Sequence, residues 1–302
     1  MKKILFLALL SLLLLVLLCA CAEEDYATLT YIVDGEEYHV DVLESEDDIF
    51  GRIGTEPVKA GFVFNGWYYD EGVWEQPLSY GELNQSLAAK DYRVYAKWEN
   101  VNLKYNEATR SYTVVGLLLD ASGDIVIPKT YKDFPVTRIA AEAFRDNATL
   151  TSIVIPDSVT SIGDYAFAGC TALKEVVLPN TVTDVGRAAF SNCISLTKAK
   201  LSTALKSISA ELFFHCNKLT EITLPQALVT VGFRAFASCT SLTSFSIPFR
   251  VTTIGAEILK GTTISEITYG GSTSDFAKIS KDDFQSGSAI VTVHCVDADI
   301  VL

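Results

Sequence analysis

Val159-Thr-Ser-Ile-Gly-Asp-Tyr-Ala-Phe-Ala-Gly-Cys-Thr-Ala-Leu173, closed by Val176-Val-Leu-Pro179, decides how this chain folds. The pattern returns every 23 residues from Val136 to Gly271. Val136, Val159, Val182, Leu205, Leu228 and Val251 open successive units. Eight residues later stands an aromatic series, Phe144, Phe167, Phe190, Phe213 and Phe236, closed by Leu259. Cys170, Cys193, Cys216 and Cys239 follow at the same interval, with Asn147 before them and Thr262 after. Fixed-period self-similarity of this kind is the mark of a stacked-repeat architecture.

One such unit cannot enclose a core, but stacked coils bury one another's inward side chains in a continuous column. Each alternating segment, such as Leu173-x-x-Val176-x-Leu178, is expected to be a short strand with two inward residues. Strands of neighbouring coils then form a parallel sheet, about 4.8 Å apart. Ile162 to Phe167 is expected to dock a helical turn on the column, and the prolines after the strands turn the chain. The expected class is mainly β with short helices, a solenoid of about six coils.

The run Val159 to Leu173 resembles the BspA-like (Treponema-type) leucine-rich repeat. The resemblance implies a curved right-handed solenoid with a strand-lined face, found mostly in bacterial surface proteins. It implies no activity.

Residues 1–20 have the form of a secretory signal: Lys2 and Lys3, then an apolar run from Ile4 to Leu18, too short for the roughly 20 residues a membrane span needs. Leu18-Cys-Ala-Cys21 resembles a bacterial lipobox, which implies lipidation of Cys21 and a membrane anchor. The alternative is a plain signal peptide with an incidental cysteine. Residues 21–27 would be a short tether. The whole chain carries 24 basic and 37 acidic residues; without the segment the balance is 22 − 37 = −15. That excludes nucleic acid as a natural partner, since phosphate attracts basic surfaces.

Residues 28–99 are expected to form a separate small domain. Leu29 to Val33, Asp34-Gly35 and Tyr38 to Val42 predict a hairpin. Glu46 to Ile53 predicts a short helix, and Phe62 to Tyr69 and Arg93 to Trp98 two further strands. Gly61 to Asp70 together with Tyr95-Ala-Lys-Trp98 resembles the internalin B-repeat (Listeria–Bacteroides repeat), which implies a β-grasp-like spacer or adhesion module. Trp67, Tyr69 and Trp74 could stack on sugars, but a small sheet usually needs such rings for its own core.

Residues 100–135 are expected to cap the start of the repeats, with a hairpin around Asn106 to Arg110 and a strand at Asp124-Ile-Val-Ile-Pro128. The repeats occupy 136–271. Residues 272–302 leave the period and would seal the far end with a helix at Asp275 to Ile279 and a strand at Ala289 to Cys295.

The cysteines, one coil apart, cannot converge on a metal and are expected to be buried free thiols. His39, His215 and His294 are scattered, and no nucleophile–base constellation is visible, so neither cofactor nor enzyme activity is expected. The outward strand positions offer a binding face, with Glu175, Lys198, Lys200, Glu221 and Glu266 as its charged members. Glu175 is expected beside Lys198, and Lys200 beside Glu221 or Thr223. The expected function is adhesion or protein–protein interaction by a surface lipoprotein with an unknown protein or cell-surface partner; the alternative is carbohydrate or nutrient binding.

Overall fold

The computed structural model describes residues 27–43, 57, 59, 63–68, 78, 91–118, 122–281 and 291–302. The signal segment, Cys21, the expected helix at 46–53, Tyr69 and Trp74 lie outside the described residues. Contacts separate two compact units, one from the residues up to 57 with 66–97, the other from 58–65 with 98–302. Each is taken by itself.

The first unit carries a four-stranded sheet in the order β2-β1-β4-β3, from β1 (Ala27–Val33), β2 (Glu36–Leu43), β3 (Val63–Tyr68) and β4 (Asp91–Glu99). β1 and β2 are antiparallel around Asp34-Gly35, whose φ values of 51° and 86° are those of the expected tight turn. β1 pairs β4 in parallel. In β3 the left-handed Gly66 breaks the simple alternation of faces, and Trp67 and Tyr68 are both buried.

The second unit is the expected solenoid. β5 (Val101–Asn106) and β6 (Ser111–Leu117) form the hairpin, with Asn106 Oδ1 accepting from the N–H of Ala108 and Thr109. β7 (Gly123–Val126) pairs in parallel with β10 (Leu150–Val154) and opens the strand face. Between them come β8 (Thr130–Tyr131) and β9 (Phe134–Ile139), and β9 lies parallel to β6. The strand face continues through β12 (Glu175–Val177), β14 (Lys198–Lys200), β16 (Glu221–Ile222), β18 (Phe245–Ile247) and β20 (Glu266–Tyr269). A second ladder, formed where each unit opens, runs through β11 (Ser161–Ile162), β13 (Asp184–Val185), β15 (Ser207–Ile208), β17 (Thr230–Val231) and β19 (Thr253–Ile254). The last coil is one residue short, since Phe245 pairs Ile267, 22 positions on.

The far end carries α1 (Thr273–Lys278), β21 (Ser280–Lys281), β22 (Thr292–His294) and β23 (Asp299–Val301). Ser272 caps α1 in a reciprocal box with Asp275, Asp297 accepts from the Thr273 N–H at 2.8 Å, and Phe276 is buried against Tyr269. β23 turns back antiparallel on β22.

The phenylalanines stand in single file. Phe144, Phe167, Phe190, Phe213 and Phe236 are all buried, with successive centroids 5.0, 5.1, 5.6 and 5.8 Å apart and ring planes within 13°. Beyond Phe236 the file ends, and the edge of Phe245 packs on it at 5.3 Å.

The expected helical turn is not a helix. Its residues alternate in hand, with positive φ at Glu142, Tyr165, Ala188, Glu211, Arg234 and Glu257, and again four residues on at Asp146, Gly169, Asn192, His215, Ser238 and Gly261. Every second N–H donates forward to the next coil, as from Tyr165 to Arg187 O, Phe167 to Ala189 O and Gly169 to Ser191 O. The turn side is thereby hydrogen-bonded between coils, which a helix, bonding within itself, could not achieve.

Four coils place glycine at one tight position. A Cβ on Gly163, Gly186, Gly232 or Gly255 would fall 2.3–2.6 Å from main-chain nitrogen of the preceding coil. Ser209 occupies the same position in the fourth coil. There β13 and β15 are not paired, and the Ser209 hydroxyl donates to Val185 O. In the four coils that carry glycine its N–H makes that bond, as from Gly186 to Ile162 O, and in the first coil Ala140 N–H donates to Val114 O.

Candidate functional site: the strand face

Inward strand residues Val176, Leu178, Ala199, Ile222 and Ile247 are buried, while Glu175, Val177, Lys198, Lys200, Glu221, Thr223, Ser244, Ser246, Glu266 and Thr268 are exposed. Strand alternation and a filled column force this division. The face begins with Val126 and Val154, cross-strand neighbours, both 56% exposed, followed by Val177.

Register decides between two expectations. Lys198 lies between Glu175 and Glu221, and Lys200 pairs Val177 on its other side. Of the two neighbours expected for Lys200, the register of Lys198 with Glu221 and Ala199 with Ile222 favours Thr223 over Glu221. Among the described residues none of these charges is in an ion pair within 4.0 Å. They remain available to a partner. The close ion pairs lie instead on the turn side, Arg187 with Glu211 at 2.9 Å and Arg234 with Glu257 at 2.5 Å.

Two adjoining depressions mark the face. One, about 410 Å³, lies over Lys198, Lys200, Leu201, Glu221 and Pro225. The other, about 390 Å³, lies over Glu221, Leu224, Ser244, Phe245, Glu266 and His294. His294 Nδ1 is 2.9 Å from Asp299.

The cysteine file does more than fill space. Cys170, Cys193, Cys216 and Cys239 are free and buried, and each Sγ donates at 3.1–3.2 Å to the carbonyl of the spine phenylalanine 26 residues earlier. Asn147 and Thr262 make local bonds from the equivalent positions. Burial raises the Cys170 and Cys239 thiols to about 12 and pushes Cys193 and Cys216 up as well. Protonated thiols remain donors and are poor nucleophiles.

Trp67 is not a sugar platform. It is 5% exposed, its ring edge-on to Tyr31 at 4.9 Å, and a ring in a core offers no face for stacking. Among the described residues no three His, Cys, Asp or Glu side chains come together as metal ligands.

The BspA type leucine rich repeat region family matches residues 137–268 in six copies. Residues 137–268 are a BspA-type leucine-rich repeat region. In structure the chain is similar to a leucine rich cell surface protein of Faecalibacterium prausnitzii at 28% identity and TM-score 0.51, over 64% of this chain and 54% of that one. It is also similar to a leucine-rich repeat protein of Bacteroides ovatus, at 26% identity and TM-score 0.40 over 58% and 61%, and to the Treponema pallidum leucine rich repeat protein, at 20% and 0.41 over 62% and 80%. The chain thus spans about half the length of the Faecalibacterium protein. No curated protein matches its sequence.

The sequence pointed to Glu175, Lys198, Lys200, Glu221 and Glu266, and the fold brings all five to one face. It missed Phe245 and Ser209, although each interrupts a repeat column: an aromatic among aliphatics, and a serine among glycines.

Proposed function

We propose that this chain is a lipid-anchored protein of the bacterial cell surface that mediates protein–protein interaction or adhesion through the strand face of its solenoid. The observation that carries this reading is the pair of exposed side-chain columns on short strands, held rigid by the buried phenylalanine file and left without ion pairs of their own. A scaffold that fixes its outward groups spends little conformational entropy on binding. The surface location draws on the similarity to a protein described as a leucine rich cell surface protein and on the lipobox-like Leu18 to Cys21. Residues 28–99 serve in this reading as an internalin B-repeat spacer. Chemical cross-linking on intact cells, followed by capture of the chain, tests it. Capture of a partner protein that is lost in Lys198→Glu is expected; capture unchanged by Lys198→Glu and Glu175→Lys together would remove the strand face from the function. Cys21→Ala is expected to move the protein from the membrane to the soluble fraction, and unchanged membrane partition would place the anchor elsewhere.

A further inference from the structure

The strand ladder breaks at two junctions, between β10 and β12, where the Lys174 N–H still reaches Thr151 O, and between β16 and β18. Coil-to-coil bonds form a series on this side: Lys174 N–H to Thr151 O, Thr197 N–H to Lys174 O and Thr220 N–H to Thr197 O, at 3.3, 2.9 and 3.4 Å. Among the described residues no bond from Thr243 to Thr220 continues it, and β16 and β18 belong to separate sheets. The second ladder stays closed across the same coils, with Ser207, Thr230 and Thr253 in register. The coils thus lose their strand pairing at β16 and β18, while the Ser241 N–H and the Thr240 hydroxyl still donate to Asn217 O just before β18.

Phe245 explains the opening. The inward strand position holds Ile153, Val176, Ala199 and Ile222 in the earlier coils and a phenyl ring here. Phe236 already fills the column, and Phe245 meets its face edge-on at 5.3 Å. A ring in place of an aliphatic side chain overfills the layer, and the strands give way. Over this junction lies the depression of about 390 Å³, lined by the apolar Ile222, Leu224 and Phe245 and by Glu221, Ser244 and Glu266.

The charge at this opening is unbalanced. Glu221 has Lys198 on one side and the gap on the other; Glu266 is paired in register with Thr292. His294 also lines it, its Nδ1 held at 2.9 Å by Asp299. The whole chain has a formal charge of −13, which steers cations toward it.

We infer that this opening receives a lysine or arginine side chain from an extended, basic segment of a partner protein. The inference rests on the proposed binding through the strand face and names what that face takes. The alkyl stem lies on the apolar floor while the cationic head reaches both carboxylates.

The test is fluorescence anisotropy of the purified full chain with a labelled peptide of alternating serine and lysine, against the same peptide with acetyl-lysines. Acetylation removes the charge and keeps the stem. The lysine peptide is expected to bind, with about tenfold or greater loss on acetylation and in the Glu221→Gln/Glu266→Gln double variant. Glu107→Gln, remote on the β5–β6 hairpin, is expected to leave binding unchanged. Phe245→Ile, which lets the ladder close, should also lose binding while retaining the melting temperature within a few degrees. Equal binding of both peptides, or binding indifferent to the double carboxamide variant, would overturn the proposal. A cellular partner lost in Lys198→Glu yet retained in Glu221→Gln/Glu266→Gln would leave the strand-face reading standing and sink this inference alone. A partner retained in both would sink both.

Discussion

The Ser209 hydroxyl donates to the Val185 carbonyl, taking the bond that a glycine N–H makes in neighbouring coils. A side chain at this position cannot fit between coils at normal spacing, so the coils separate and the hydroxyl bridges the difference. Gly186→Ala should impose the same separation without the bridge. Its Cβ would lie 2.4 Å from Asp164 N, and the expected loss is about 1–3 kcal/mol in urea unfolding. Ser209→Gly should let β13 and β15 pair, seen as slowed exchange of the residue 209 amide hydrogen. A Gly186→Ala variant as stable as the parent would show that the stack is looser than drawn.

Phe190 lies between Phe167 and Phe213 and is fully buried. Phe190→Ala should leave a void that the flanking rings cannot fill and lower stability by about 3–5 kcal/mol. An unchanged denaturation midpoint would contradict a shared column.

Cys216 separates packing from hydrogen bonding. Its Sγ donates to Phe190 O at 3.1 Å in a buried layer. Cys216→Ala leaves that carbonyl without this partner and should cost about 1–3 kcal/mol, whereas Cys216→Ser keeps a donor and should cost less. Since burial raises all four spine thiols, iodoacetamide at pH 8 should modify the native chain, among the described cysteines, only at partly exposed Cys295. Rapid labelling of the spine thiols, read by mass spectrometry, would mean the column opens readily.

The C-terminal seal should be acid-sensitive. Hydrogen bonds from Ser272 and Lys278 lower the Asp275 carboxyl below its ordinary 3.8, and the Thr273 N–H does the same for Asp297. Groups depressed on folding contribute stability that is present above the unfolded value and lost as pH falls through the folded one. The seal should therefore hold from neutral pH to about 4 and loosen below it. Amide exchange of Thr273 and Phe276 across pH 5 to 2 reads this directly, and Asp297→Asn should weaken the seal already at pH 7. Protection unchanged down to pH 2 would argue against both contacts.

Much of this was legible before any coordinates. Val159 to Pro179 announces burial, strand and turn by residue type, and repetition multiplies the signal. The hairpin at Asp34-Gly35 and the sealing helix from Asp275 were equally open to reading, because each depends on local chemistry. The turn at Ile162 to Phe167 was misread as helical. Its Ala and Phe suit a helix in isolation, but the neighbouring coil offers carbonyls to every second N–H, and those intercoil bonds prevail. Trp67 could not be placed by alternation, since a left-handed Gly66 interrupts it.

By itself the sequence determined the period, the inward and outward sides of each strand, and the line of phenylalanines and cysteines. These follow from burial, and burial is written in residue type. Only the tertiary structure decided that Lys198 faces Glu221, that thiols bond spine carbonyls, and that the coils part at Ser209 and Phe245. Those depend on the distance between one coil and the next, which volumes on both sides set together, and a one-dimensional pattern carries no measure of that distance.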